Sequence, residues 1–116
     1  SMGGGAWPEN WPEIIKKHEN STVKMTTKAP GIEGLGQSPN MWRYNIDFEA
    51  TDHFEMVASY YRGNSGASGF MLSDEKKLVN GYDMTFTNNS TKDKMLVGIR
   101  TEGQKTLASL TLFDEP

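Results

Sequence analysis

The strongest constraint on the fold is the regular alternation of apolar and polar residues at positions 41 to 50, MWRYNIDFEA. Large apolar side chains occupy every second position from Trp42 to Phe48, and polar or charged side chains fill the positions between them. Because successive side chains of a β-strand point to opposite faces of its sheet, this spacing predicts a strand with one apolar and one polar face. Such a sheet must cover its apolar face and can leave its polar face in water.

The next residues, TDHFEMVASYY, change the apolar period from that of a strand to that of a helix. Phe54, Val57 and Tyr61 have the spacing of an apolar stripe along one side of a helix. Asp52 occupies the position expected for an N-cap, and Glu55 follows it at the spacing of a capping box. The sequence therefore predicts an amphipathic helix that begins after Asp52 and packs on the apolar face of the sheet.

Glycine residues predict where this helix weakens and where it ends. Gly63 and Gly66 together cost about 2 kcal/mol relative to alanine, so we expect a frayed or bent end that reaches about Ser68. Gly69 followed by Phe70 is typical of a left-handed glycine at a helix C-terminus with a hydrophobic residue just beyond it.

Turn signals divide the sequence after the helix into strands. Asn80-Gly81 lies between two strand-like segments and predicts a type I′ turn, in which both central residues have positive φ. The polar segments NNSTKDK and EGQK predict two further turns. Four strands would therefore follow the helix as a meander.

The sequence before the alternating strand contains three further segments. Residues 22–28 predict a strand whose apolar residues, Val23 and Met25, both face inward. Residues 29–40 are rich in Gly and Pro and predict a loop. A proline at a helix start, with an acid after it and lysines near the end, predicts a short helix at residues 12–18.

These elements fit an α+β fold with an antiparallel sheet of about five to six strands, one main helix packed on one face and the short N-terminal helix. A chain of 116 residues is the usual size of one domain. We expect residues 1–10 to form a flexible tail and residues 11–116 to form a single domain. The other face of the sheet would meet solvent or a partner with its polar side chains, namely Arg43, Asn45, Asp47, Thr85 and Thr87.

Composition argues against several classes of function. The net charge is −3 and the twelve Lys and Arg residues are scattered, so we expect no nucleic-acid partner. The absence of cysteine excludes disulfides, thiol catalysis and cysteine-ligated metals. No apolar run approaches the roughly 18 residues of a membrane-spanning helix. Ser1-Met2 is typical of a cloning remnant, so a native signal or lipid-anchor segment could precede the sequence.

The sequence contains no recognisable catalytic or metal-binding set. His53 would lie at the start of the main helix, where the helix dipole disfavours its cationic form, so a structural role is expected. Asp52, His53 and Glu55 would point to different sides of a helix, unlike the paired ligands of a zinc protease. No G-x-S-x-G segment is present. We therefore expect no catalytic residues, no metal and no cofactor.

One stretch of sequence resembles a known type of bacterial domain. A strand ends in Thr-Asp, a helix follows with a Val-x-x-Tyr-Tyr core, and a Gly-aromatic pair closes it; the residues are Thr51, Asp52, Val57, Tyr60, Tyr61, Gly69 and Phe70. Over roughly residues 7 to 113 this order resembles small uncharacterised bacterial extracytoplasmic and lipoprotein-type domains. The resemblance implies an α+β fold and a periplasmic or other extracytoplasmic location with the signal segment removed. It brings no established activity.

The sequence supports three hypotheses of function. The first is a non-enzymatic domain that binds a protein, a peptide or a cell-envelope component through the polar sheet face, a strand edge or the loop at 29–40. The second is a small-molecule-binding protein or enzyme with an aromatic and methionine-lined pocket between helix and sheet. The third is a homodimer that pairs edge strands. The candidate ligand-binding residues are Trp42, Tyr44, Tyr60, Tyr61, Phe86 and His53.

Overall fold

The computed structural model describes residues 2–3, 21–30 and 41–114, so the helix predicted at 12–18 and most of the loop predicted at 29–40 lie outside the described residues. The strands are β1 (Met2–Gly3), β2 (Ser21–Pro30), β3 (Trp42–Ala50), β4 (Met71–Leu78), β5 (Gly81–Thr87), β6 (Lys94–Glu102) and β7 (Lys105–Asp114). Between β3 and β4 lie the helix α1 (Phe54–Asn64) and a 3-10 turn (Ser65–Ser68).

All described strands form one antiparallel sheet in the order β1-β2-β3-β7-β6-β5-β4. Strands β4 to β7 follow one another as the predicted meander. The last strand, β7, pairs with β3 along its length, from Trp42 with Asp114 to Ala50 with Thr106. The helix α1 carries the chain from β3 to the edge strand β4. The predicted α+β class with an antiparallel sheet is confirmed.

The helix packs on one face of the sheet, which we call the inner face. Val57 and Tyr61 of α1 are completely buried, and the Tyr61 ring lies 6.1 Å from the ring of Phe48 on β3. Inward side chains from β3, β5, β6 and β7 complete the core, and they include Ile46, Met84, Phe86, Met95, Ile99, Leu110 and Leu112. Because burial of each such side chain contributes about 1.5–3 kcal/mol, this interface holds the helix against the sheet.

Strand β2 contains an irregularity that changes which way its side chains face. Val23 pairs with Phe48, whereas Met25 pairs with Asp47, so Lys24 is an extra residue relative to β3. A bulge of this kind shifts the alternation by one position. Met25 therefore lies on the face opposite α1 with 42% of its surface exposed. The prediction that Val23 and Met25 both face inward is wrong for Met25.

The N-cap of the helix is one residue later than predicted. His53 is the cap, and its Nδ1 accepts the backbone N–H of Glu55 at 3.2 Å. The Glu55 carboxylate accepts the hydroxyl of Tyr82 at 2.7 Å and completes no capping box. The predicted N-cap at Asp52 is therefore wrong. The Asp52 carbonyl accepts the Thr106 hydroxyl at 2.7 Å, and the side chain of His53 caps the first turn of the helix.

The C-terminal end of the helix agrees with the glycine pattern. The α-helix ends at Asn64 and tightens into the 3-10 turn that reaches Ser68. Gly69 follows with a φ of 85°, and the N–H of Phe70 donates to the carbonyl of Ser65 at 3.1 Å. Phe70 then enters the core. The predicted left-handed glycine, with a hydrophobic residue just beyond it, is confirmed.

The hairpin between β4 and β5 has a different turn from the predicted one. Leu78 pairs with Gly81, so the two turn residues are Val79 and Asn80. Neither Asn80 nor Gly81 has a positive φ, and the predicted type I′ turn is therefore wrong. A Cβ at Gly81 would overlap the backbone carbonyl oxygen of Ile99. The close approach of β6, rather than turn geometry, requires glycine at this position.

Candidate functional site

Four of the six predicted ligand-binding residues belong to the packing between helix and sheet. Tyr44, Tyr61 and Phe86 expose only 3%, 0% and 1% of their surfaces. Tyr60 is partly buried, with its ring edge-on to that of Tyr61 at a centroid distance of 5.0 Å. The pocket between helix and sheet stays a prediction, and these four positions give it little support because their surfaces are already used in core packing.

The other two predicted residues lie on the surface at opposite ends of β3. Trp42 is 42% exposed, and the Lys28 Nζ lies 4.3 Å from the centre of its ring and 5.4 Å from the ring of Tyr44. This aromatic surface is therefore already covered by a cation of the same chain. His53 is exposed and caps α1. The six predicted residues do not come together in one site.

The described part of the chain contains no candidate membrane-spanning helix and no candidate metal site. None of its helices has both the length and the apolar character needed to cross a membrane. Within the same residues, no three His, Asp or Glu side chains converge in a way that could hold a metal ion.

The face of the sheet opposite α1, which we call the outer face, contains two adjoining hollows. The first has a volume of about 380 Å³ and lies over β5, β6 and β7. The second has a volume of about 440 Å³ and lies mainly over β3, β6 and β7. Gly98 and Ser109 line both hollows, so the two form one groove, which is open to solvent. We call this the outer-face groove.

Gly98 lies where the two hollows meet, in the middle of β6 and beside Asp83 and Ser109 on the neighbouring strands. A Cβ at this position would have room, because the nearest heavy atom, Asp83 Oδ1, would be 3.7 Å away. The φ of Gly98 is not positive. Glycine in a strand costs about 0.5–1 kcal/mol relative to alanine, yet neither the backbone nor a close neighbour requires it here. What this glycine supplies is the depth of the groove.

Polar side chains beside the groove hydrogen-bond one another. The Oδ1 of Asn45 accepts the hydroxyls of Ser109 at 3.1 Å and Thr111 at 2.8 Å. The Nδ2 of Asn45 donates to Asp47 at 3.1 Å. These residues occupy neighbouring positions of β3 and β7. The network fixes the four side chains in one arrangement before any partner is bound.

Ion pairs hold most of the charged side chains that border the groove. Arg100 donates to both carboxylate oxygens of Asp83, at 2.9 and 3.2 Å. The Glu49 carboxylate lies 3.4 Å from the Nζ of Lys24 and 3.6 Å from that of Lys105. Because these groups are partly or fully exposed, each pair contributes at most about 1 kcal/mol to stability. Their main effect is to neutralise charge along the groove.

Apolar side chains lie between these polar groups on the outer face. Met25 and Leu96 are 42% and 36% exposed, and Leu107 and Phe113 are partly exposed. Methionine, aromatic and arginine side chains are enriched in the surfaces that proteins use to bind one another. The outer face therefore combines fixed polar groups with accessible apolar surface.

A second charged cluster attaches α1 to the edge strand β4. The Tyr82 hydroxyl donates to Glu55, Lys77 lies 3.5 Å from Glu55, and Arg62 donates twice to Glu75 at 3.0 and 2.8 Å. The Tyr82 hydrogen bond, aided by the Lys77 charge, holds the pKa of Glu55 below its usual value. The Glu75 carboxylate raises the pKa of Arg62. Since each charged group in this cluster has a partner, we infer that the cluster stabilises the packing of α1 against the edge of the sheet.

The sequence predicted which side chains form the polar face but did not predict the groove in that face. The structure places the five residues predicted for this face on the outer face: Arg43, Asn45, Asp47, Thr85 and Thr87. The groove itself was not predicted. Its one sequence signal is Gly98, a lone glycine inside the strand-like segment MLVGIRT.

Comparison with known proteins gave no match among family models, curated proteins or solved structures. The resemblance to bacterial extracytoplasmic and lipoprotein-type domains therefore stays a prediction.

Proposed function

We propose that this chain is a non-enzymatic binding domain that docks a polypeptide partner in the outer-face groove. The observation that carries the proposal is Gly98. It occupies the centre of a strand, where glycine is costly, and a Cβ added there would make only an ordinary van der Waals contact, 3.7 Å from Asp83 Oδ1. Because the fold does not need glycine here, we attribute it to binding. Without a side chain at the floor of the groove, another molecule can approach the sheet closely.

The form of the groove favours a polypeptide over a small molecule. Drug-sized ligands are usually roughly 70–90% buried in their pockets, which a hollow open on one side of a sheet cannot achieve alone. A partner that brings its own surface can complete the burial.

The edge strand β4 is a weaker candidate for partner binding or for a homodimer. Its register shifts between Leu72 and Asp74, which bends the edge, and four consecutive charged residues follow from Asp74 to Lys77. Natural sheets use bulges and charges of this kind to prevent pairing with another chain. Strand addition at β4 therefore has less support than docking on the outer face.

The test fills the groove without disturbing the fold. Gly98→Val places a β-branched side chain at the floor of the groove in a strand position that suits it, so we expect equal or higher thermal stability. Thr87→Val is the control, because it places the same valine side chain on the outer face away from both hollows. Random peptides are selected for binding to the immobilised wild-type protein. Binding of the selected peptides to each variant is then compared with their binding to the wild type.

We expect the selected peptides to bind the wild type and Thr87→Val equally and to lose binding to Gly98→Val. In NMR spectra of the wild type, the same peptides should shift the amide signals of Gly98 and Ser109. Peptides that bind Gly98→Val as well as they bind the wild type, or that shift only signals from α1, would refute the proposal. Failure to select any binding peptide would count against it as well.

A further inference from the structure

Two cationic residues flank an aromatic residue on three adjacent strands at one end of the outer face, and we call these two residues, Arg43 and Lys94, the cationic pair. Phe113 of β7 pairs with Arg43 of β3 on one side and with Lys94 of β6 on the other. Paired residues of adjacent strands point to the same face, so all three side chains project outward. With strands about 4.8 Å apart, the backbones of Arg43 and Lys94 are separated by about 10 Å, with the partly exposed Phe113 between them.

These two cations differ from the others that border the groove. Lys24, Lys105 and Arg100 each form an ion pair with an acidic side chain of the same chain. Arg43 and Lys94, by contrast, form no side-chain ion pair or hydrogen bond within the part of the chain that the structure describes. Two cations about 10 Å apart that form no such ion pair favour the approach of an anion.

The cationic pair adjoins the groove. Leu96 and Thr111 line the first hollow, and they lie two residues after Lys94 and two residues before Phe113 on the same strands, a distance of about 7 Å. A partner segment bound in this hollow would therefore reach the cationic pair within two or three residues. An arginine fork and a lysine ammonium group can hold one carboxylate from two sides, and the ring between them can pack against the adjoining apolar atoms.

We infer that the docked partner is an acidic polypeptide segment that places a carboxylate between Arg43 and Lys94. This inference rests on the proposed function and adds the chemistry of the partner to it. The apolar part of the segment lies over Leu96, and its acidic side chain or C-terminal carboxylate lies over Phe113. Charge complementarity at this end then fixes the direction in which the segment lies in the groove.

The test measures binding of two short synthetic peptides by fluorescence anisotropy at low and high salt. One peptide alternates glutamate with leucine, and the other has glutamine in place of every glutamate. The variant Arg43→Gln/Lys94→Gln removes the cationic pair. Lys76→Gln is the matched control, because Lys76 is another exposed lysine that projects from the outer face, beside Asp83 on the edge strand. Thermal unfolding of each variant confirms that it is folded.

We expect the acidic peptide to bind the wild type more tightly than the glutamine peptide does, and its affinity to fall with salt. The double variant should weaken its binding roughly three- to tenfold, as the loss of two exposed charge contacts implies, and Lys76→Gln should leave the affinity unchanged. Equal binding of both peptides, no binding of either, or an equal effect of Lys76→Gln would overturn the inference. So would sedimentation data in which the wild type dimerises and the double variant does not, because the occupant would then be a second copy.

Failure of this inference can be distinguished from failure of the proposed function. If Gly98→Val abolishes binding of the library-selected peptides and the double variant does not affect the acidic peptide, the groove binds a polypeptide without the predicted charge contact. If the double variant weakens binding of the acidic peptide and Gly98→Val weakens binding of neither the acidic peptide nor the library-selected peptides, the cationic pair binds carboxylates independently of the groove, and the proposed function fails.

Discussion

Substitutions at Gly81 separate two explanations for the glycine in the β4–β5 hairpin. If Asn80-Gly81 formed a type I′ turn, the glycine would be needed for its positive φ, and asparagine would replace it with little loss because it tolerates the left-handed conformation. In the structure Gly81 is the first residue of β5, its φ is not positive, and a Cβ would overlap the carbonyl oxygen of Ile99. Any side chain at this position must therefore push β5 away from β6.

The size of the effect follows from what obstructs the Cβ. The obstructing atom belongs to the backbone of a central strand and cannot rotate away, so we expect the upper end of the usual overpacking cost, about 3 kcal/mol. Gly81→Ala and Gly81→Asn should each lower the free energy of unfolding by this amount. For a chain of 116 residues the unfolding entropy is about 0.24 kcal/mol per degree, so both melting temperatures should fall by about 12 °C.

The assay is thermal and urea unfolding of both variants, with Gly103 as the internal control. Gly103 has a φ of 62°, and a Cβ added to it would meet no heavy atom of the described residues within 4 Å, so its need for glycine is conformational. There, alanine should cost about 1–2 kcal/mol and asparagine less. If Gly81 behaved like Gly103, with asparagine clearly better tolerated than alanine, the close approach of β6 would be refuted as the reason for this glycine.

Three further predictions concern the helix and the core. His53→Asp should raise the free energy of unfolding by about 0.5–1 kcal/mol, because aspartate is a better N-cap and suits the helix dipole; a variant no more stable than His53→Ala in thermal unfolding would contradict the cap assignment. Tyr82→Phe should raise the pKa of Glu55 toward its usual value in an NMR titration. Since the folded-state pKa of Glu55 is lowered, its contribution to stability is present above about pH 4.5 and is lost as the pH falls through the folded-state value, and this loss should be smaller in the variant. Ile99→Ala, at a completely buried position, should cost about 3–4 kcal/mol in urea unfolding, and a cost below about 1 kcal/mol would contradict the described core.

Most of the fold could be predicted because its elements are specified by short-range patterns. The alternation from Trp42 to Phe48 determines both the strand and the face that is buried, and the Gly69-Phe70 pair ends the helix for local conformational reasons. The errors arose where one residue changed the local geometry. The bulge at Lys24 turns Met25 outward, and it depends on how β2 pairs with β3, which no pattern within β2 contains.

The N-cap and the hairpin were mispredicted for a related reason. Asp52 has the better capping side chain, but its carbonyl is bound by Thr106 on β7, and His53 caps the helix instead. Gly81 has the composition of a turn residue, but its neighbour across the sheet determines its role. In each case a contact between residues distant in the sequence outweighed a local preference.

The candidate site was only partly predictable, because alternation identifies a face and says nothing of its depth. Arg43 and Asp47 could be placed on the outer face from their spacing. The groove required knowing that β6 lies between β5 and β7, which brings Gly98 beside Ser109 in the middle of the sheet. A lone glycine in a strand has several explanations from sequence, and only its surroundings in the folded sheet support the proposed binding role.

The hydrogen bonds of the outer face limit how a partner can gain affinity there. Asn45 already accepts the hydroxyls of Ser109 and Thr111 and donates to Asp47, so a partner that bonded to these groups would have to exchange existing hydrogen bonds for new ones at little net gain. Affinity must therefore come from filling the space over Gly98 and from charges that still lack a partner. A partner that docks on the outer face as proposed would therefore gain specificity from shape and charge more than from buried apolar area.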